Sequence, residues 1–175
     1  MRFVRLFVGS ILVLFLIATG ISLFLPSRVR ISRATNIAAT PAAIWASIDT
    51  MQHWPSWNPF FEGVTTGAIT AVKSDGAFTN SMEVNGTKVE WIKRQVDERI
   101  AAMTRPGKLP VHNGWRCITH TGSDSTTLQW YMDIRLRWYP WEKLGSIMFE
   151  RTYGPAMEKG LGNIRTIASS RSSKN

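Results

Sequence analysis

The feature that most restricts the fold of this chain is a long apolar run near its N-terminus. Residues 6–25, LFVGSILVLFLIATGISLFL, contain no charged side chain. As an α-helix they would extend for about 30 Å, which is the thickness of the hydrocarbon core of a bilayer. A cleaved secretory signal with Arg2 and Arg5 as its basic start is the alternative, but the run exceeds the usual length of a signal core and no A-x-A site follows it. We therefore predict a transmembrane anchor over residues 1–26, in contact with the membrane through residues 6–25.

The charges on the two sides of this run do not determine its orientation. Arg2 and Arg5 precede it, and Arg28, Arg30 and Arg33 follow it. Neither side therefore carries a clear excess of positive charge. Because large domains can be exported almost regardless of their own charge, we favour an extracytoplasmic location for the domain behind a single membrane span.

The length and composition of the whole chain are those of a protein with about one folded domain. Hydrophobic residues make up 44% of the sequence and charged residues 19%, a balance that can bury a core. We assign residues 27–169 to this domain and the polar residues 170–175 to a disordered tail. The net charge is +9, but the basic residues are scattered, so a nucleic-acid partner is not expected. Attraction to an anionic membrane and an ordinary solvated surface are both compatible with this charge.

Local signals in the first half of the domain predict a strand, a helix and then a hairpin. The strand begins near Arg28, and Thr40 and Pro41 follow it as a helix N-cap and a first helical residue. Asn85 and Gly86 form the preferred type I′ turn of a two-residue β-hairpin.

Periodic patterns in the second half predict a strand and a terminal helix. Apolar residues occupy every even position from Leu128 to Trp138, which is typical of a strand with one buried face. Beyond Pro140, apolar residues at three- and four-residue spacing predict the buried stripe of a C-terminal helix. That stripe consists of Leu144, Ile147, Met148, Met157, Leu161, Ile164 and Ala168. The order of elements is that of an α+β domain in which the helix covers one face of an antiparallel sheet.

Two segments of the chain resemble those of a known family. Residues 25–60 combine an opening strand, a Pro-started helix and the motif W-x-x-W-x-P at Trp54, Trp57 and Pro59, and residues 149–168 read FERTYGPAMEKGLGNIRTIA. Together they resemble the START-like superfamily, also called SRPBCC, over residues 28–168. Its bacterial members are often described as polyketide cyclase/dehydrase or lipid-transport proteins, and some carry a hydrophobic anchor before the domain.

The resemblance implies a helix-grip fold, in which a curved antiparallel sheet wraps around the long C-terminal helix and encloses an apolar cavity. In this chain one N-terminal transmembrane helix would precede it. The resemblance implies no single reaction, because members of the superfamily use the same fold for different purposes.

Residues suited to catalysis are scarce. His53, His112 and His120 lack metal-site spacing, and Cys117 has no neighbouring ligand in a motif. Asn80 is the inward polar residue predicted on the best-defined strands, and a buried Asn is more often structural than catalytic. We therefore predict no catalytic residue, no metal and no cofactor.

A binding site needs only a concave apolar surface with a few polar groups. We predict a hydrophobic small molecule or a lipid as the ligand, and the oligomeric state is left open. The predicted ligand contacts are the aromatic and apolar residues expected at the cavity or its mouth: Trp54, Trp57, Phe60, Trp91, Trp115, Trp130 and Met132. Large rings can instead fill such a core completely. An enzyme of the cyclase/dehydratase type is the alternative function.

Two further expectations concern tryptophans outside this set. Trp45 and Trp138 are predicted to face inward from their helix and strand positions. Trp138, Tyr139 and Trp141 surround Pro140, where they could form either an aromatic patch against lipid or a partner, or a strand-to-helix corner held by packing. We favour the corner, because the resemblance implies a turn there.

Overall fold

A computed structural model describes residues 2–64, 69–75, 78–120, 122 and 125–172 of the chain. For residues 69–75, 78–80 and 171–172 it describes the backbone alone. The predicted inward side chain of Asn80 therefore lies outside the described residues.

The N-terminal apolar run forms one continuous helix, α1 (Arg2–Phe24). It is exposed along most of its length, and it is long and apolar enough to cross a membrane. Its few hydroxyl groups are satisfied within the helix, since Ser10 Oγ donates to the carbonyl of Leu6 and Thr19 Oγ1 to that of Phe15. A signal sequence can have the same length and composition.

A curved antiparallel sheet forms the body of the domain. Within the part of the chain that the structure describes, it has seven strands in the spatial order β1-β7-β6-β5-β4-β3-β2. The first strand therefore pairs with the last, and the others follow as a meander. The strands are β1 (Arg28–Ile37), β2 (Ile69–Asp75), β3 (Phe78–Val84), β4 (Thr87–Arg94), β5 (Glu98–Thr104), β6 (Val111–Thr119) and β7 (Thr126–Arg135).

The connection from β1 to β2 contains the short helices. In α2 (Pro41–Ile48), Thr40 caps the N-terminus by accepting a hydrogen bond from Ala43 N, as the sequence predicts. Three single turns follow, a 3₁₀ turn (Met51–His53), α3 (Trp54–Trp57) and a second 3₁₀ turn (Pro59–Phe61).

The predicted hairpin is confirmed between β3 and β4. Asn85 has φ 49° and Gly86 φ 69°, the left-handed pair that a type I′ turn requires. The predicted alternation on β7 also holds for Leu128, Trp130 and Ile134, which are buried.

The prediction for Trp138 is wrong. β7 ends at Arg135, and the Trp138 side chain is 69% exposed. The chain leaves the sheet there to enter α4 (Pro140–Gly145), so the period of two no longer sets the direction of the side chain.

The C-terminal element is divided into α4, a 3₁₀ turn (Ser146–Met148) and the long α5 (Phe149–Ser172). Ile147 and Met148 are exposed, which corrects their predicted place in the buried stripe. The helix α5 packs against β1 and α2 and extends past the predicted domain boundary at residue 169. The buried stripe within α5 is Met157, Leu161, Ile164 and Ala168.

Candidate ligand-binding site

One end of the space between the sheet and α5 is filled by five tryptophans, which we call the tryptophan cluster. Their neighbouring ring centroids lie between 5.3 Å (Trp54 and Trp115) and 6.2 Å (Trp57 and Trp115), mostly edge to face. That geometry is favourable for aromatic pairs. Trp91 is half-buried, and the other four are fully buried. The members are Trp54, Trp57, Trp91, Trp115 and Trp130.

Hydrogen bonds fix three of these rings in place. Trp54 Nε1 donates to the carbonyl of Ile48 at 2.8 Å, and Trp57 Nε1 donates to that of Ser47 at 3.1 Å. Trp130 Nε1 donates to Asn113 Oδ1 at 3.1 Å. Since buried N–H groups are costly when unpaired, these bonds favour one arrangement of the cluster.

The other end of the same space is open. It holds a cavity of about 520 Å³ between the concave face of the sheet, α4 and the first turns of α5. This volume is in the range of sites for small organic molecules. Its more enclosed wall is apolar and aromatic. That wall consists of Phe60, Met103, Val111, Met132, Ile134, Leu136, Phe149 and Tyr153.

The exposed rim of the cavity is basic. Arg105, Lys108, Arg135 and Arg137 lie on it, and Glu142 is the carboxylate among the described lining residues. The rim therefore carries an excess of positive charge over the apolar wall, an arrangement suited to an amphiphile with an anionic group.

The positions of two rim side chains are set by local bonds. Arg137 Nη2 donates to the carbonyl of Gly107 at 3.0 Å, and Arg105 Nε donates to Thr87 Oγ1 at 3.0 Å. Glu142 accepts a hydrogen bond from the backbone N–H of Arg137 at 2.8 Å, which joins the end of the sheet to α4.

The predicted ligand contacts divide between the two ends. Phe60 and Met132 line the cavity, whereas the five predicted tryptophans lie in the tryptophan cluster and not among the described lining residues. Phe60 connects the two ends, since its ring lies 5.9 Å from that of Trp130 and 6.0 Å from that of Tyr153.

Most of the cavity wall was missed from the sequence. Met103 and Val111 are directly paired across β5 and β6, and Val111 is paired with Ile134 across β6 and β7. Alternation along β5 and β6 could have indicated their direction. Phe149 and Tyr153, four residues apart at the start of α5, belong to the same helical face.

A charged network lies on the opposite face of the sheet. The buried carboxylate of Glu98 accepts hydrogen bonds from Lys93 Nζ at 2.7 Å, Arg116 Nη2 at 2.7 Å and the Tyr131 hydroxyl at 3.0 Å. The bond from Lys93, with those from Arg116 and Tyr131, lowers the pKa of Glu98 to about 2. Burial and the bond to Glu98 raise the pKa of Tyr131 to about 12. This network holds the strands together, and it is separate from the cavity.

The described residues favour neither a reactive cysteine nor a bound metal ion. Burial raises the pKa of the Cys117 thiol to about 12, so the reactive thiolate is disfavoured at neutral pH. Within the described ranges no group of three His, Cys, Asp or Glu side chains is arranged to hold a metal ion.

The sheet wrapped on a C-terminal helix, with a cavity between them, defines a START-like helix-grip protein. The family model for polyketide cyclase/dehydrase and lipid transport matches residues 28–168, and the chain belongs to that family. No curated protein sequence matches the chain.

Solved structures share this fold at low sequence identity. The Zhui aromatase/cyclase from a Streptomyces species aligns with a TM-score of 0.59 and 12% identity, over 82% of this chain and 95% of that one. A START superfamily protein from Mycobacterium smegmatis aligns with a TM-score of 0.54 and 14% identity, over 83% and 97%. The di-domain aromatase/cyclase StfQ of the steffimycin pathway aligns with a TM-score of 0.59 and 9% identity over 83% of this chain, which spans 52% of StfQ.

Proposed function

We propose that this protein binds a hydrophobic small molecule or a lipid in its cavity without catalysis, and that α1 anchors it to a membrane. The observation that carries the proposal is the cavity of about 520 Å³ with an apolar wall. An apolar pocket of this size is the general form of a site for a hydrophobic ligand. Family membership supports the same function, since the matching family includes lipid-transport proteins.

The ligand would lie with its apolar part against Phe60 and Met132, the two residues that both sequence and cavity geometry favour. The tryptophan cluster would act indirectly, because Trp130 supports the Phe60 ring from behind. A polar or anionic end of the ligand would point to the basic rim.

For the domain we propose an extracytoplasmic location, which protease protection of sealed vesicles would test.

Ligand recovery from the purified protein tests the proposal. The full chain is extracted in detergent, purified and analysed by mass spectrometry for bound apolar compounds and lipids. Val111→Trp, which places a large ring in the cavity, is compared with Ile118→Trp on the same strand, where the side chain is exposed. We expect Val111→Trp to weaken the affinity about tenfold, equivalent to about 1.4 kcal/mol, so that recovery falls, and we expect recovery to be unchanged with Ile118→Trp. Absence of ligand from the wild-type protein, or equal recovery from both variants, would contradict binding in this cavity.

The anchor is tested separately by alkaline extraction of membranes. We expect the full chain to remain in the membrane fraction, because α1 contains the uncharged run that starts at residue 6 and is long and apolar enough to be held by the hydrocarbon core. Release into the soluble fraction would contradict the anchor and would leave the cavity proposal standing.

A cyclase or dehydratase is the second candidate function, and it depends on Tyr153. Its phenol belongs to the described cavity wall and could serve as a general acid. Relatives of this fold include proteins named aromatase/cyclases. If the chain turned over a polyketide-like substrate and Tyr153→Phe abolished turnover but retained ligand, this candidate would replace the non-catalytic one.

A further inference from the structure

An exposed apolar surface borders the open end of the cavity. Trp138 and Trp141 are 69% and 62% exposed, and Ile147 and Met148 are 67% and 58% exposed. We call these four residues the apolar corner. Large side chains exposed together in this way indicate a contact surface and not a core.

The apolar corner reaches the mouth of the cavity through Trp141. Trp141 is itself a lining residue, together with Gly145 on the same helix α4 and Phe149 directly after the 3₁₀ turn. Tyr139 stacks on Trp141 with ring centroids 4.9 Å apart, and it contacts Trp138 at 5.0 Å. Tyr139 therefore packs against both exposed tryptophans.

Residues next to the apolar corner are bonded to the short segment that follows α1. Lys143 Nζ donates to the carbonyl of Leu25 at 3.2 Å, and Leu136 N donates to that of Ser27 at 2.9 Å. Lys143 is buried at this junction, and so is Ser22 in the last turns of α1. Because α1 ends at Phe24, a helix that crosses the membrane would bring this corner to the membrane surface.

We propose that the apolar corner lies in the interface of the lipid bilayer and that the cavity opens toward the membrane. Tryptophan is enriched at this depth because its ring is apolar and its N–H is polar. The neighbouring basic rim, with Arg105, Lys108, Arg135 and Arg137 against the carboxylate of Glu142, would be attracted to anionic lipid headgroups. A hydrophobic ligand would then pass between the bilayer and the cavity with little exposure to water.

The inference rests on the proposed role of α1 as an anchor. One reconstitution experiment tests the anchor and the position of the apolar corner separately. The full chain carrying Met148→Cys is labelled with a small fluorophore and reconstituted in vesicles of phosphatidylcholine and phosphatidylglycerol. The buried Cys117, with its raised pKa, should react poorly with the label. Val96→Cys is the matched control, since Val96 is 92% exposed in the turn between β4 and β5, at the opposite end of the sheet.

Quenching then reports the surroundings of each label. We expect nitroxide-labelled lipid to quench the label at residue 148 severalfold more than the label at residue 96, and aqueous iodide to show the reverse order. Equal quenching of both labels by iodide would overturn the proposal. A label at residue 148 protected from both quenchers would also overturn it, since it would indicate a protein partner or a second copy. Failure of the chain to float with the vesicles would instead contradict the anchor.

Discussion

The two ends of the concave surface differ although they share the same strands and the same helix. On β6 and β7, Trp115 is paired with Trp130, and four residues along the strands Val111 is paired with Ile134. The first pair belongs to the filled tryptophan cluster and the second to the open cavity. Backbone topology therefore provides the concave surface, and side-chain volume decides where room for a ligand remains.

The largest expected effect is at the filled end. Trp57→Ala removes a fully buried ring that contacts Trp54, Trp115 and Trp130. We expect the free energy of unfolding to fall by about 4 kcal/mol, because a cavity of indole size cannot close. Denaturant unfolding of the full chain in detergent measures the loss, and Trp138→Ala, an exposed ring, should change it by less than about 0.5 kcal/mol.

The same variant tests the sequence-based prediction that Trp57 contacts the ligand. If stability is unchanged and ligand recovery is lost, Trp57 is part of the binding surface and its packing role is contradicted. A destabilised variant that still carries ligand at low temperature would favour packing.

Much of the fold could be predicted because its signals are local. Thr40 with Pro41, Asn85 with Gly86 and the alternation from Leu128 each report a backbone conformation that depends on neighbouring residues only. The family resemblance over residues 28–168 then provided the arrangement of these elements, and the family model matches those residues.

The cavity could not be predicted in the same way, because it depends on the sum of side-chain volumes across separate elements. Sequence patterns indicated which residues face inward, but not that Val111 and Ile134 leave space where Trp115 and Trp130 fill it. The errors at the apolar corner have a related cause. There the chain changes from strand to helix, and neither the strand period nor the helix period predicts which side chains of the transition are buried.

A glycine in α5 tests how tightly the filled end is packed. A Cβ added at Gly160 would lie 2.7 Å from a ring carbon of the fully buried Trp130 and 3.1 Å from Cδ of the half-buried Pro59. We expect Gly160→Ala to reduce the free energy of unfolding by about 2 kcal/mol, despite the helix propensity of Ala. Gly162→Ala is the matched control, since its Cβ meets nothing within 4 Å, and it should gain up to about 1 kcal/mol. Equal stabilisation by both changes, measured by thermal unfolding, would indicate that the filled end has room.

The smallest expected effect concerns the charged network behind the filled end, where Glu98 accepts bonds from Lys93, Arg116 and Tyr131. Its pKa is about 2 in the folded chain, below its ordinary value of 4.5. Its stabilising contribution is therefore complete above pH 4.5 and is lost as the pH falls toward 2.

We expect Glu98→Gln to cost about 1 kcal/mol at pH 7, since Lys93 and Arg116 are partly exposed and solvent screens them. The Glu98→Gln variant should also lose less unfolding free energy than the wild type across that pH interval. Some loss should remain, because the bond from Arg30 lowers the pKa of Asp133 as well. Chemical unfolding followed from pH 7 to pH 2 measures both effects. An unchanged pH profile in Glu98→Gln would mean that this network does not support the sheet behind the tryptophans, and that the filled end depends on ring packing alone.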